Sequence, residues 1–226
     1  MRKGVVRVLG IVVDIDDTLV DTKKRTQGIW RHVLGCDVSL EELESMNARQ
    51  IFEKYATAEQ KPRIRELQKE FQDTLLCRNK KGVELMSLDE PILHSAQVVR
   101  EWSDNYVIIY LTGRLESLRD ETLEELERFG FPLIDTDLVM FKDEDWGKAA
   151  LGEARTRLFS SVVEKYNVIR VVDDFPGYFP TYRNFNVPER IGLLRSKHHT
   201  FKDFLDRGAT KVVENWQQLE YDPPSR

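Results

Sequence analysis

The sequence predicts an α/β protein: a parallel sheet between layers of helices, with an all-helical segment inserted after the first strand. Three observations carry this expectation. Residues 5–13 form an apolar run, with Arg7 and Gly10 inside it, as expected of a strand buried on both faces. Residues 23–79 contain helical patterns and no convincing strand. From Leu88 onward, short apolar runs alternate with amphipathic stretches, the texture of strand–helix units around a parallel sheet.

The first strand ends in Asp14-Ile15-Asp16-Asp17-Thr18. Along the inserted segment, Gly28 to Leu34 form a short helical pattern closed by Gly35. Ser39, with Glu42 three residues on, is a capping box that starts the next helix. Leu40, Leu43 and Met46, then Ile51, Phe52 and Tyr55, fall at helical spacing with a break near Asn47. Pro62 opens a further helix whose apolar stripe is Ile64, Leu67, Phe71, Leu75 and Leu76. Asp89-Glu90-Pro91 is expected to start a helix running to Ser103. Residues 106–111 form a second buried strand, followed by Thr112-Gly113-Arg114 and a helix from Leu115 to Phe129 that Gly130 closes. Residues 138–141 form a third strand, a helix runs to Tyr166, and residues 168–172 form a fourth strand ending in Asp173-Asp174. Residues 190–194 and 211–213 are two further short strands.

At 226 residues the chain accommodates a core domain, 1–22 plus 88–226, and a small helical domain, 23–87. No apolar run has the length of a membrane span. The N-terminus lacks the h-region of a secretory signal, and Cys36 and Cys77 are far apart without metal spacing, so a cytoplasmic protein with reduced thiols is expected. A net charge of −5 disfavours a non-specific nucleic-acid or anionic-membrane binder.

Clustered carboxylates at the end of a buried strand are costly unless they share a proton or bind a divalent cation. Asp14 and Asp16, two apart on an extended backbone, point the same way. Ligands of open parallel sheets bind beyond the carboxyl ends of the strands. Three such ends carry polar groups here: Asp14/Asp16, Thr112-Gly113-Arg114 and Asp173/Asp174. Each taken alone has a plain structural reading, as an N-cap or a turn.

In this order the three clusters resemble the first, second and fourth motifs of the haloacid dehalogenase-like (HAD) phosphohydrolase superfamily. The resemblance implies a Rossmann-like three-layer core, with the helical insert as a C1-type cap. It also implies Mg²⁺ held by Asp14, the Asp16 carbonyl and Asp173, with Asp174 assisting. Asp14 would be the nucleophile and Asp16 the general acid and base; Thr112, Gly113 and Arg114 would bind the substrate phosphate. An Asp at position 16 fits phosphatases rather than dehalogenases. The third motif, a cation beside Asp14, stays open between Lys148 and Arg155. Lys148 has the family's separation from Asp173, which favours it over Arg155. A five-residue strand rises about 17 Å, which a helix matches in about eleven residues, so counting back from Tyr166 brings Arg155 level with the strand tips. Arg157 is a further candidate. For Arg114, a substrate contact competes with a salt bridge to Glu116, Asp120 or the acidic tips.

The implied function is a magnesium-dependent phosphatase for a small phosphorylated metabolite, acting through an aspartyl-phosphate. One alternative, suggested by Thr112-Gly113-Arg114, is a nucleotide or nucleic-acid-end phosphatase. Another is a non-catalytic binding or regulatory module on the same fold.

Overall fold

Side chains of the central strand β1 (Leu9–Val13) alternate between two cores, as the two-residue period of an extended chain requires. Ile11 and Val13 enter one, and Val12 the other. The computed structural model describes residues 7–142 and 151–220. Within them the strands are β1, β2 (Val20–Asp21), β3 (Glu90–Pro91), β4 (Val107–Leu115), β5 (Val139–Lys142), β6 (Asn167–Asp173), β7 (Glu189–Leu193) and β8 (Lys211–Val213). The helices are α1 (Lys23–Leu34), α2 (Leu40–Ser45), α3 (Ala48–Tyr55), α4 (Ile64–Leu75), α5 (Lys80–Leu85), α6 (Ser95–Ser103), α7 (Arg119–Arg128), α8 (Leu151–Lys165), α9 (Phe179–Asn184) and α10 (Phe201–Arg207). Among the described residues, no helix is long and apolar enough to cross a membrane.

The chain divides into two units. The first holds the chain up to Val20, residues 91–195, and residues from His199 onward. Its six strands form a parallel sheet in the order β5-β4-β1-β6-β7-β8. Helices α6 and α7 cover one face through Val98, Val99, Trp102 and Leu126. Helices α8, α9 and α10 cover the other through Leu158, Phe159, Tyr182 and Phe204. The result is the three-layer α/β core that the sequence predicts. Arg170, mid-strand and buried, is satisfied in place: it pairs with Glu189 at 2.5 Å and lies over the Trp102 ring.

Strand order decides where the site lies. The sheet grows from β1 through β4 to β5, then returns to the other side of β1 for β6, and such a reversal opens a crevice beyond the strand tips. Val13 is level with Tyr110 on one side and with Val172 on the other. One residue further along the three strands come Asp14, Leu111 and Asp173.

The second unit is helical, Asp21–Glu90 with Ser196–His198. Its core is built on Trp30, stacked on Phe71 at 4.1 Å and met edge-on by Phe52 at 4.9 Å. The Ser39 capping box forms as expected, and Asn47 with Gln50 makes a second one at the break between α2 and α3. A buried Arg25–Asp89 ion pair, 3.3 Å apart, lies within the same unit. Removing the indole in Trp30→Ala should cost about 3–5 kcal/mol of stability. Urea unfolding followed by circular dichroism measures this.

Three local expectations are corrected. Asp89-Glu90-Pro91 does not start a helix: Glu90 and Pro91 form β3, and α6 begins only at Ser95. The Ile92 N–H donates to the Leu19 carbonyl at 2.8 Å, and the Ser95 hydroxyl lies 3.3 Å from the same oxygen. Tertiary hydrogen bonds to the loop after β1 thus override the local helix-start signal. Leu75 and Leu76 sit on the surface at the end of α4 rather than in its buried stripe, which is Leu67 and Phe71. Thr112-Gly113-Arg114 lies within an extended β4 that runs on to Leu115, rather than after the strand.

Candidate active site

Asp14 closes the β1–β6 ladder, its N–H donating to the Val172 carbonyl at 3.0 Å. Beyond it the backbone leaves the sheet in a tight turn. The N–H groups of Thr18, Leu19 and Val20 all point at the Ile15 carbonyl, at 3.3, 2.8 and 3.0 Å, and Asp17 takes a positive φ of 56°. Asp tolerates that left-handed conformation better than most side chains. Trp216, fully buried, fixes the turn by donating its indole N–H to the Thr18 carbonyl at 2.7 Å.

The Thr18 hydroxyl links two strand ends. It lies 3.2 Å from Asp14 Oδ2 and 3.3 Å from Asp174 Oδ1, and accepts the Asp174 N–H at 3.1 Å. Asp173 is held from both sides: Oδ1 accepts the Phe175 N–H at 2.9 Å, and Oδ2 accepts the Tyr182 hydroxyl at 2.5 Å. Carboxylate oxygens of Asp14, Asp173 and Asp174 all lie within 4.8 Å of one another.

Arg155, on α8, supplies positive charge here. Its guanidinium bonds directly to Asp14, lies 3.1 Å from Asp173 Oδ2, and donates to the Leu111 carbonyl at 2.6 Å. The Tyr178 ring stacks on it at 4.3 Å. Of the two candidates for the cation beside Asp14, Arg155 is therefore at that place, and Lys148 lies outside the described residues. Arg157 points elsewhere, paired with Glu153 at the surface.

Among the described residues, one arginine faces the three carboxylates of this cluster. Burial pushes the Asp14 carboxyl up to about 8 against the pull of Arg155, with Asp173 and Asp16 adding repulsion. Asp173 is raised by burial, and Asp174 is raised well above the carboxylate range by burial and by its anionic neighbours Asp14 and Asp17. Among the described residues the cluster is short of positive charge, and its donors are hard oxygens. Both features fit a divalent cation of the magnesium type.

Thr112 sits one residue past Leu111 on β4, buried, with its hydroxyl oxygen accepting the Arg114 N–H at 3.1 Å. Gly113 is exposed, and a Cβ there would meet nothing within 4 Å. Arg114 turns away from solvent. Its Nε and Nη2 bind Asp16 at 3.0 and 2.9 Å, and Nη1 lies 2.7 Å from Glu125 and 3.2 Å from the Thr122 hydroxyl. Of the two readings of Arg114, the salt bridge to an acidic strand tip forms, with Asp16 as a partner.

Sequence reasoning did not single out Tyr178, Tyr182, Thr122 or Glu125. Tyr178 and Tyr182 stand four residues apart just after Asp173-Asp174, a helical spacing that places both on the side facing Arg155. Glu125 carried no signal: nothing in an acidic helix marks one carboxylate as the buried one.

No protein-family model matches the sequence, nor does any curated protein sequence. Solved structures are similar across nearly the whole chain. A protein from Clostridium difficile described as a candidate phosphatase is 16% identical, covering 94% of this chain and 97% of its own, with a TM-score of 0.65. A haloacid dehalogenase-like family hydrolase from Streptococcus pneumoniae is 12% identical over 95% and 98%, with a TM-score of 0.61. A HAD family hydrolase from Deinococcus radiodurans, with bound phosphate and sodium, is 14% identical over 94% and 93%, with a TM-score of 0.58. The similarity extends over nearly the whole chain, and the chain has the fold of the haloacid dehalogenase-like hydrolases.

Proposed function

We propose that this protein is a phosphatase that hydrolyses a small phosphomonoester through an aspartyl-phosphate on Asp14, with magnesium as cofactor. The observation that carries the reading is the meeting of Asp14, Asp173, Asp174 and Arg155 at the adjacent tips of β1 and β6. Fold likeness to hydrolases and phosphatases supports the reaction class.

Magnesium would be held by Asp14, Asp173 and the Asp16 carbonyl, with Asp174 assisting, and would supply the positive charge a phosphoryl group needs beside carboxylates. Asp14 attacks phosphorus, forming an Asp14 Oδ–P bond as the bond to the leaving oxygen breaks. Asp16 gives a proton to that oxygen and later takes one from the water that hydrolyses the aspartyl-phosphate. Thr112 and the Gly113 N–H bind phosphoryl oxygens, and Arg155 offsets the charge that collects on Asp14 and the phosphate. The helical unit is assigned the role of a substrate-selecting cap, which favours a small metabolite over a polynucleotide end. A nucleotide or nucleic-acid-end phosphatase is the alternative reading, and rates on nucleoside monophosphates, an end-phosphorylated oligonucleotide and sugar phosphates separate the two.

Phosphate release from p-nitrophenyl phosphate and from a panel of phosphorylated metabolites, with and without magnesium, tests the proposal. Equal release by wild type and Asp14→Asn would overturn it in favour of a non-catalytic module. Arg155→Met should lower kcat by about 10²–10³-fold, the range for losing one group that stabilises transition-state charge. Steady-state kinetics on the same substrate measures that loss.

A further inference from the structure

We infer that Arg114, anchored on Glu125 and Thr122 of α7, is the positioning residue of the Asp16 carboxylate and acts when water resolves the aspartyl-phosphate. This assignment rests on the phosphatase reading and deepens it.

Asp16 lies beyond the last sheet hydrogen bond of β1, in the turn before Asp17, with its side chain 32% exposed. A short carboxylate at such a place has several open rotamers. Arg114 narrows them. It meets Asp16 side-on through Nε and Nη2, two contacts that fix the plane of the carboxylate as well as its distance. The guanidinium is itself held from behind. Its side chain is only 4% exposed, and Nη1 faces Glu125 and Thr122, which share one face of α7 at a spacing of three. Glu125 is just as buried, and neither of its oxygens has an aligned hydrogen bond among the described residues, so its charge is balanced across the 2.7 Å contact to Arg114. The order Glu125–Arg114–Asp16 therefore runs from a fixed helix to the exposed edge of the strand tips. Lysine could not replace the fork, because one ammonium does not grip two oxygens in a plane while also meeting a second carboxylate.

In the second half of the reaction a water oxygen bonds to phosphorus as the Asp14 Oδ–P bond breaks, and Asp14 leaves as a carboxylate. The proton given up by the water goes to Asp16. That transfer needs the Asp16 carboxylate on line with the water, which is what a planar grip secures.

The test uses p-nitrophenyl phosphate with magnesium, because its good leaving group asks little of an acid in the first half. In Arg114→Met, and in Arg114→Met/Glu125→Leu, which strands no buried charge, kcat should fall on the order of 10²-fold, the lower end for general acid–base catalysis. KM should fall in parallel, kcat/KM should stay within about threefold, and rapid mixing should show a stoichiometric burst of p-nitrophenolate as phosphoenzyme accumulates. Asp16→Asn should give the same signature, and combining it with Arg114→Met should add little. Arg114→Lys, which keeps the charge and loses the fork, should fall between wild type and Arg114→Met. An unchanged kcat, a raised KM with kcat/KM falling as far as kcat, or losses that multiply with those of Asp16→Asn would overturn the assignment and return Arg114 to substrate binding or to structure alone. A wild type that releases no p-nitrophenolate overturns the phosphatase reading and this assignment together. An active wild type with an unaffected variant overturns this assignment only.

Discussion

Asp14→Asn is expected to reduce phosphate release by about 10⁴-fold or more, the scale on which a covalent nucleophile is missed. The amide is nearly isosteric, so the fold should persist; what disappears is the anionic carboxylate oxygen that attacks phosphorus. A structural effect of opposite sign should accompany the loss. Burial raises the Asp14 carboxyl from 3.8 to about 8, so the metal-free folded protein binds a proton there that the unfolded chain releases. The stability tied to that proton is fully present below about pH 4 and is lost as the pH rises through about 8. In EDTA, wild type should therefore unfold at lower urea concentration at pH 8 than at pH 5. Asp14→Asn, which carries no charge at either pH, should show a smaller difference. A variant that is inactive yet at least as stable as wild type at pH 8 separates a chemical role from a structural one. Loss of activity together with loss of stability would argue the reverse.

Removing the divalent cation is expected to have the second-largest effect. Chelation should abolish turnover, and added magnesium should restore it. Because activity alone does not say where the ion sits, the thermal or urea midpoint is the better measure. A ligand at one hundred times its Kd stabilises the folded state by about 2.7 kcal/mol, and because the ion displaces protons from the three raised carboxyls its stabilising effect should grow as the pH rises toward 8 and above. Asp173→Asn should remove most of the magnesium-dependent shift, since Asp173 is fully buried and aimed into the cluster by Phe175 and Tyr182. Asp174→Asn should weaken the shift less if Asp174 only assists. A magnesium shift unchanged in Asp173→Asn would place the ion elsewhere and remove the basis of the proposed chemistry.

The fold and the acidic end of the site were legible because their signals are local. An apolar run ending in Asp14 declares a buried strand with charge at its tip, and residues 168–172 ending in Asp173-Asp174 do so again. Arg155 was half legible. Counting back along α8 gave its height, but helix rotation decides whether a side chain at that height faces the sheet, as Arg155 does, or solvent, as Arg157 does. The false helix start at Asp89 misled for a related reason: its capping pattern was sound, and hydrogen bonds to Leu19, more than seventy residues away, outbid it.

Taken by itself, the sequence determined a parallel α/β core, its helical insert, and carboxylates at the ends of the first and fourth core strands. Tertiary structure alone decided that Arg114 grips Asp16, that Glu125 is the buried acid of α7, and that Tyr178 and Tyr182 flank Arg155 and Asp173. Periodicity and capping act over a few residues, so a chain read in order reveals them. The partner of a buried charge is set by sheet order, strand register and helix rotation, which exist only after distant segments have packed.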